Sequence, residues 1–236
     1  MLLGEPPERA SFSGRYGWQH CRTLFSLADS ETSRLAESLA RRRDLRGVAL
    51  WGGGCVALRA CGQVVCLDCP VDAKPRLERL VAGRAVIYYL SAGPQEQCYV
   101  QFSDGHTAWN APDGFTDAVH ACDTPVAAVA FGGWGTWTIL FKDGSATWCG
   151  IPPALQQLLP TPPGQRHSRK PPTACWLALS PDAQAWFVRY TDGTWRAQCS
   201  ALPALQDALD ALRAGGASVR EVGIGEGGAF YLRYAE

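Results

Sequence analysis

The stretch Trp137-Thr-Ile-Leu-Phe-Lys-Asp143-Gly144-Ser-Ala-Thr-Trp148 decides the architecture. Two runs rich in β-branched and aromatic residues flank an Asp-Gly pair, the dipeptide suited to a tight hairpin because Gly accepts a positive φ. The same arrangement recurs at Cys98-Tyr-Val-Gln-Phe-Ser-Asp104-Gly105-His-Thr-Ala-Trp109 and at Trp186-Phe-Val-Arg-Tyr-Thr-Asp192-Gly193-Thr-Trp195. A weaker copy, Cys55-Val-Ala-Leu-Arg-Ala-Cys61-Gly62-Gln-Val-Val-Cys66, lies upstream. Each copy predicts a β-hairpin, and the copies define a repeat.

The turn aspartates are 39 residues apart from 104 to 143 and 49 from 143 to 192. The longer interval contains Pro160-Thr-Pro-Pro-Gly-Gln-Arg-His-Ser-Arg-Lys-Pro-Pro172, which reads as an inserted surface loop. A further apolar run opens each unit: Val48 to Trp51, Ala85 to Leu90, Val126 to Phe131 and Cys175 to Leu179. A short helical segment closes the later ones, as in Leu202-Pro-Ala-Leu205-Gln-Asp-Ala-Leu209-Asp-Ala-Leu212, with leucines three and four apart and Gly215 as a stop. The unit is strand, strand, strand, short helix, in an all-β protein with short helices.

The chain ends supply one more unit in two pieces. Ser218 to Ile224 and Ala229 to Tyr234 read as its first two strands, and Ser13-Gly-Arg-Tyr16-Gly-Trp18-Gln-His-Cys21 as its third, followed by a helix over Asp29 to Arg42. Pairing the two ends would protect exposed sheet edges. The expected fold is a single domain over 1–236: a five-bladed β-propeller of about 40-residue repeats. Its ring is closed by the N- and C-terminal segments, with an open solenoid of five units as the alternative. Its parts are a tail at 1–12, a split blade at 13–46 plus 218–236, and blades at 47–84, 85–124, 125–172 and 173–217. Period and closure resemble β-propeller repeat proteins over nearly the whole chain. Size and the Gly132-Gly133-Trp134 triplet also resemble the tachylectin type of five-bladed lectin, which repeats that triplet where this chain has it once.

Composition bounds the function. The chain has 236 residues, 47% hydrophobic and 19% charged, with 22 basic and 22 acidic side chains, so no global field directs it to nucleic acid or an anionic membrane. Met1 to Ala10 lacks the apolar core of a secretory signal, and the uncharged run from Thr124 to Phe141 is read as two strands and a turn. An intracellular, cytoplasmic location with reduced thiols is expected.

Several residues are candidates for a site. Trp18, Trp109, Trp148 and Trp195 occupy similar places in their units and suit either packing between blades or stacking on a ligand. Asp104, Asp143 and Asp192 are read as turn chemistry. Cys66-Leu-Asp-Cys69 has zinc-ligand spacing, with Cys55 and Cys61 on the adjoining hairpin, although alternation would point Cys66 and Cys69 opposite ways unless the strand ends between them. Arg166, His167, Arg169 and Lys170 on the inserted loop offer a handle for an acidic partner, and Arg41, Arg42 and Arg43 close a helix. Gly223-Ile-Gly225-Glu-Gly-Gly228 has dinucleotide-motif spacing but stands between strands. No catalytic motif, metal or cofactor is expected. The expected role is a non-catalytic protein-binding scaffold or structural subunit. A carbohydrate-binding lectin is the alternative, and an enzyme with a site at a central channel a third reading.

Overall fold

The computed structural model describes residues 21–27, 45–52, 54–59, 61–70, 86–133, 135–159 and 172–236, together with positions 34, 36, 38, 75 and 77–79. Trp18, Arg41, Arg42, Arg43, Arg166, His167, Arg169 and Lys170, the tail at 1–12, and the insertion as far as residue 171 lie outside the described residues.

Fifteen strands among the described residues form five three-stranded antiparallel sheets. Four are contiguous in sequence. They are β2 (Leu45–Trp51), β3 (Gly54–Arg59) and β4 (Val64–Leu67); β5 (Ile87–Ala92), β6 (Cys98–Phe102) and β7 (Thr107–Asn110); β8 (Val126–Phe131), β9 (Trp137–Phe141) and β10 (Ala146–Cys149); and β11 (Ala174–Leu179), β12 (Trp186–Tyr190) and β13 (Trp195–Gln198). The fifth joins the chain ends, with β15 (Phe230–Ala235) between β14 (Ser218–Ile224) and β1 (Arg22–Ser26). Arg22 faces Tyr234 and Ser26 faces Phe230 in an unbroken antiparallel register. The closing strand therefore follows the Ser13 to Cys21 stretch expected to form it. Phe25 is its buried side chain, and Leu27 just past its end is buried too, while 13–20 of the stretch expected to form it, Trp18 among them, lie outside the described residues.

Each Asp-Gly turn forms as the local chemistry requires. Asp143 Oδ1 accepts hydrogen bonds from the Ser145 amide at 2.8 Å and the Ser145 hydroxyl at 2.7 Å, and Asp192 Oδ1 does the same with Thr194 at 2.9 and 2.7 Å. Asp104 Oδ1 accepts from the His106 amide at 3.0 Å. Gly62, Gly105, Gly144 and Gly193 all sit at φ between 86° and 90°, a region costly for a side chain with a Cβ. The hydrogen bonds to Ser145 and Thr194 hold the Asp143 and Asp192 carboxyls below the usual carboxylate range. All three aspartates serve their own turns.

The helices follow the third strands. Helix α1 (Phe115–His120) buries Phe115, α2 (Pro153–Gln156) buries Leu155, and α3 (Pro203–Ala214) buries Leu205 and Leu209, one turn apart on one face. In α3, Pro203 starts the helix and Arg213 complements its C-terminal dipole before Gly215.

Apolar side chains collect between the faces of adjacent sheets in five clusters. Four join consecutive contiguous sheets or join β11–β13 to the sheet of β14. The fifth packs Phe25, Ala229 and Tyr231 of the split sheet against Val48, Leu50 and Ala57 of the β2–β4 sheet. The first strands follow suit: β2 lies against β5, β5 against β8, β8 against β11, β11 against β14, and β14 against β2. Among the described residues, no helix is long and apolar enough to cross a membrane.

Candidate functional site

The five first strands meet around a narrow internal cavity of about 50 Å³. Val48 to Leu50, Tyr89 to Ala92, Val129 to Phe131, Trp176 to Leu179 and Val222 to Ile224 line it. Its two ends differ. At one, the turns between first and second strands close in, leaving about 10 Å³ among Gly52, Gly93, Pro181 and Gly225. A Cβ on Gly93 would stand 2.3 Å from the Phe131 Cβ, and one on Gly133 would stand 2.4 Å from the Pro181 carbonyl, so glycine is what permits this closure.

The other end opens into a cavity of about 1110 Å³. All five first strands share a register irregularity near this end. The ladders skip from Leu45 to Gly47, Ile87 to Tyr89, Val126 to Ala128, Ala174 to Trp176 and Val219 to Glu221. A bulge leaves the extra residue outside the ladder and re-aims its neighbour. The extra residues are Arg46, Tyr88, Ala127, Cys175 and Arg220, and the first four line the wide end. Tyr88 is 47% exposed, with the Arg46 guanidinium 5.1 Å above its ring.

Two of the residues after the bulges, Tyr89 and Trp176, stitch sheet to sheet. Tyr89 donates its hydroxyl proton to Val129 O at 3.1 Å and accepts from the Val129 amide at 2.9 Å, across to the next sheet. Gln101 Nε2 donates to Val126 O at 3.0 Å along the same seam. Trp176 Nε1 donates to Val222 O at 2.8 Å, joining the fourth contiguous sheet to the split one. Glu221, at the equivalent place, is ion-paired with Arg233 directly across its ladder. Burial pushes the Glu221 carboxyl above its usual value, opposed by Arg233 and Arg189. Burial likewise raises the Tyr89 and Tyr231 hydroxyls.

This half-buried polar layer escaped the sequence reading, which took the run that opens each unit as apolar. The one available signal was the charged pair Arg220-Glu221 interrupting an otherwise apolar strand. The mouth also presents Tyr99, Phe102 and Phe141 as ring surfaces, and Thr107, Thr124, Thr173 and Thr191 as hydrogen-bonding groups. Its described charged side chains are Arg46, Lys142 and Asp123.

Of the tryptophans named from sequence, the described Trp109, Trp148 and Trp195 lie elsewhere, on the outer third strands. Trp109 stacks on Tyr99 at 6.1 Å and donates from Nε1 to Thr116 Oγ1 at 3.0 Å. Trp148 packs on the cluster containing Leu155. Trp195 lies beneath the Arg213 guanidinium at 4.1 Å. Trp109 and Trp148 hold equivalent positions, opposite Tyr99 and Thr138. Trp195 faces Arg189 and so stands two residues nearer its turn, at the place of Thr107 and Ala146. Equivalence of all the tryptophans is thus corrected: the offset follows from Trp195 being three residues after its Asp, where Trp109 and Trp148 are five after theirs.

Strand β4 ends at Leu67, and Asp68 takes a positive φ of 49°. This reversal carries Cys69 back, so Cys66 and Cys69 pack against the same apolar cluster, and their thiols are hydrogen-bonded. Cys69 Sγ also lies 3.1 Å from Cys55 O. The Cys55 side chain belongs to the opposite face of the sheet, with burial pushing its thiol up to about 12, and Cys61 is exposed at the far turn. Among the described residues no group of three or more His, Cys, Asp or Glu side chains is arranged to hold a metal ion. In comparisons with protein-family models and with curated proteins, nothing significantly matches this chain.

Proposed function

We propose that the five sheets close into a five-bladed β-propeller that serves as a non-catalytic binding platform, a scaffold or subunit of an intracellular assembly. Its wide mouth receives an extended acidic segment of a partner protein. The observation that carries the reading is the mouth itself: one end of the cavity is sealed by glycine turns while the other opens to about 1110 Å³. Closure is supported by counting interfaces. An open row of five sheets has four face-to-face contacts, and here there are five apolar clusters, with β14 against β2.

The volume exceeds the roughly 300–1000 Å³ of small-molecule pockets, which favours a chain segment as occupant. Rings of Tyr88, Tyr99 and Phe141 suit apolar side chains, while threonines and Gln101 suit a peptide backbone. The Arg46 guanidinium at the described lining favours carboxylates. The insertion leading to Thr173 carries Arg166, His167, Arg169 and Lys170, a second basic feature toward the same class of partner.

The test is selection of a displayed random-peptide library on the full chain. Recovered peptides enriched in Asp and Glu, whose affinity falls at least tenfold with Arg46→Glu/Lys142→Glu and with Tyr88→Ala, support the proposal. Peptides indifferent to these substitutions, or binding only on a glycan array, overturn it.

A further inference from the structure

We propose that Cys66 and Cys69 form a reversible dithiol–disulfide switch, oxidised by a small disulfide of the glutathione class. Ten cysteines are present, and five of them, Cys55, Cys66, Cys98, Cys149 and Cys175, stand in strands, where neighbours alternate faces and cannot pair. Cys66 and Cys69 escape that geometry. The strand stops at Leu67, Asp68 turns left-handed, and both sulfurs come to one side of the sheet, hydrogen-bonded to each other. Both are half-buried, Cys66 on an outer strand and Cys69 just past its end, so a tripeptide oxidant has access, whereas Cys55, Cys98 and Cys199 are buried. Two thiols with Cys55 turned to the opposite face make an incomplete zinc set, since a structural zinc takes four ligands.

The order of the exchange follows from the surroundings. Cys69 Sγ donates its proton to Cys55 O at 3.1 Å, a bond that only the thiol can make and that keeps Cys69 protonated. Cys66 therefore attacks first. Its thiolate displaces one glutathione thiolate from oxidised glutathione and forms a mixed disulfide. Cys69 then loses its proton, attacks the Cys66 sulfur and displaces the second glutathione. Two protein thiols are oxidised, one glutathione disulfide is reduced to two thiols, and the protein's two protons end on glutathione. Closure removes the S–H group facing Cys55 O and fixes the end of β4.

The experiment incubates the folded full chain with oxidised glutathione, alkylates the remaining thiols, and maps them by mass spectrometry. Cys61 lies five residues before Cys66, so a Cys61→Ser protein is run beside the wild type. In both, the expected result is loss of two hydrogens from the segment holding Cys66 and Cys69, protection of both from alkylation, and restoration by dithiothreitol. Cys69→Ser should trap one glutathionyl group on Cys66. The proposal is overturned if Cys66 and Cys69 stay alkylatable while Cys61 or Cys149 is modified, or if the bridge joins Cys61 to either of them.

Discussion

Phe25 lies directly opposite Tyr231 in the ladder that joins the first strand to the last, their rings 6.1 Å apart. Phe25 is 5% exposed and packs into the cluster between the split sheet and the β2–β4 sheet. Replacing it with alanine opens a cavity where the two ends of the chain meet. Phe25→Ala should cost about 3–5 kcal/mol of stability in denaturant unfolding, whereas Leu24→Ala, 38% exposed on the other face, should change it by about 0.5 kcal/mol or less. Equal, small effects would mean that β1 does not seat.

Glu221 and Arg233 are paired with their side chains only 14% and 12% exposed, respectively. Removing one partner leaves an uncompensated buried charge, and Glu221→Gln should therefore cost about 3–5 kcal/mol. The double change Glu221→Leu/Arg233→Met removes both charges and should cost less than the sum of the single changes. A double-mutant cycle from unfolding curves checks this, and additivity would show that the two do not interact.

Asp143 and Asp192 have depressed folded-state pKa values, because the amides and hydroxyls of Ser145 and Thr194 favour the charged form. A depressed carboxyl contributes stability that is present above its unfolded pKa of about 3.9 and is lost as pH falls through the folded value. Asp143→Asn/Asp192→Asn should lower the melting temperature at pH 6 and narrow the gap to the wild type on acidification below about pH 4. Glu221, raised by burial, acts in the opposite sense but is common to both proteins, so the difference isolates the turns. A gap constant with pH would contradict the assignment.

Gly105 and Gly144 share a positive φ but not their surroundings. A Cβ at 105 meets nothing within 4 Å, while one at 144 lies 2.5 Å from Thr173 Cγ2. Gly105→Ala should cost about 1–2 kcal/mol from backbone strain alone, and Gly144→Ala more. Comparison of unfolding midpoints decides, and the reverse order would refute the packing at Thr173.

Legibility from sequence follows the range of the interactions. The Asp-Gly hairpins were readable because turn chemistry acts within four residues, and α3 because Leu205 and Leu209 repeat on one face. The closing strand was placed too early because no turn fixes its register; only the seating of Phe25 and Leu27 does. Tyr89, Trp176 and Glu221 were hidden because their positions depend on bulges that come from the pairing of strands. The reversal at Asp68 was likewise not encoded by glycine or proline, so the meeting of Cys66 and Cys69 could be stated only as a condition.

The most direct test of closure by the N-terminal strand is hydrogen exchange on the full chain, comparing the segment 21–27 with 230–235. An edge strand offers about half its amides to the ladder, and those of β1 should exchange only as slowly as the protected amides of β15 do. If segment 21–27 exchanges at the rate of unstructured chain while 230–235 stays protected, the ends are unpaired and the closed-ring account is wrong.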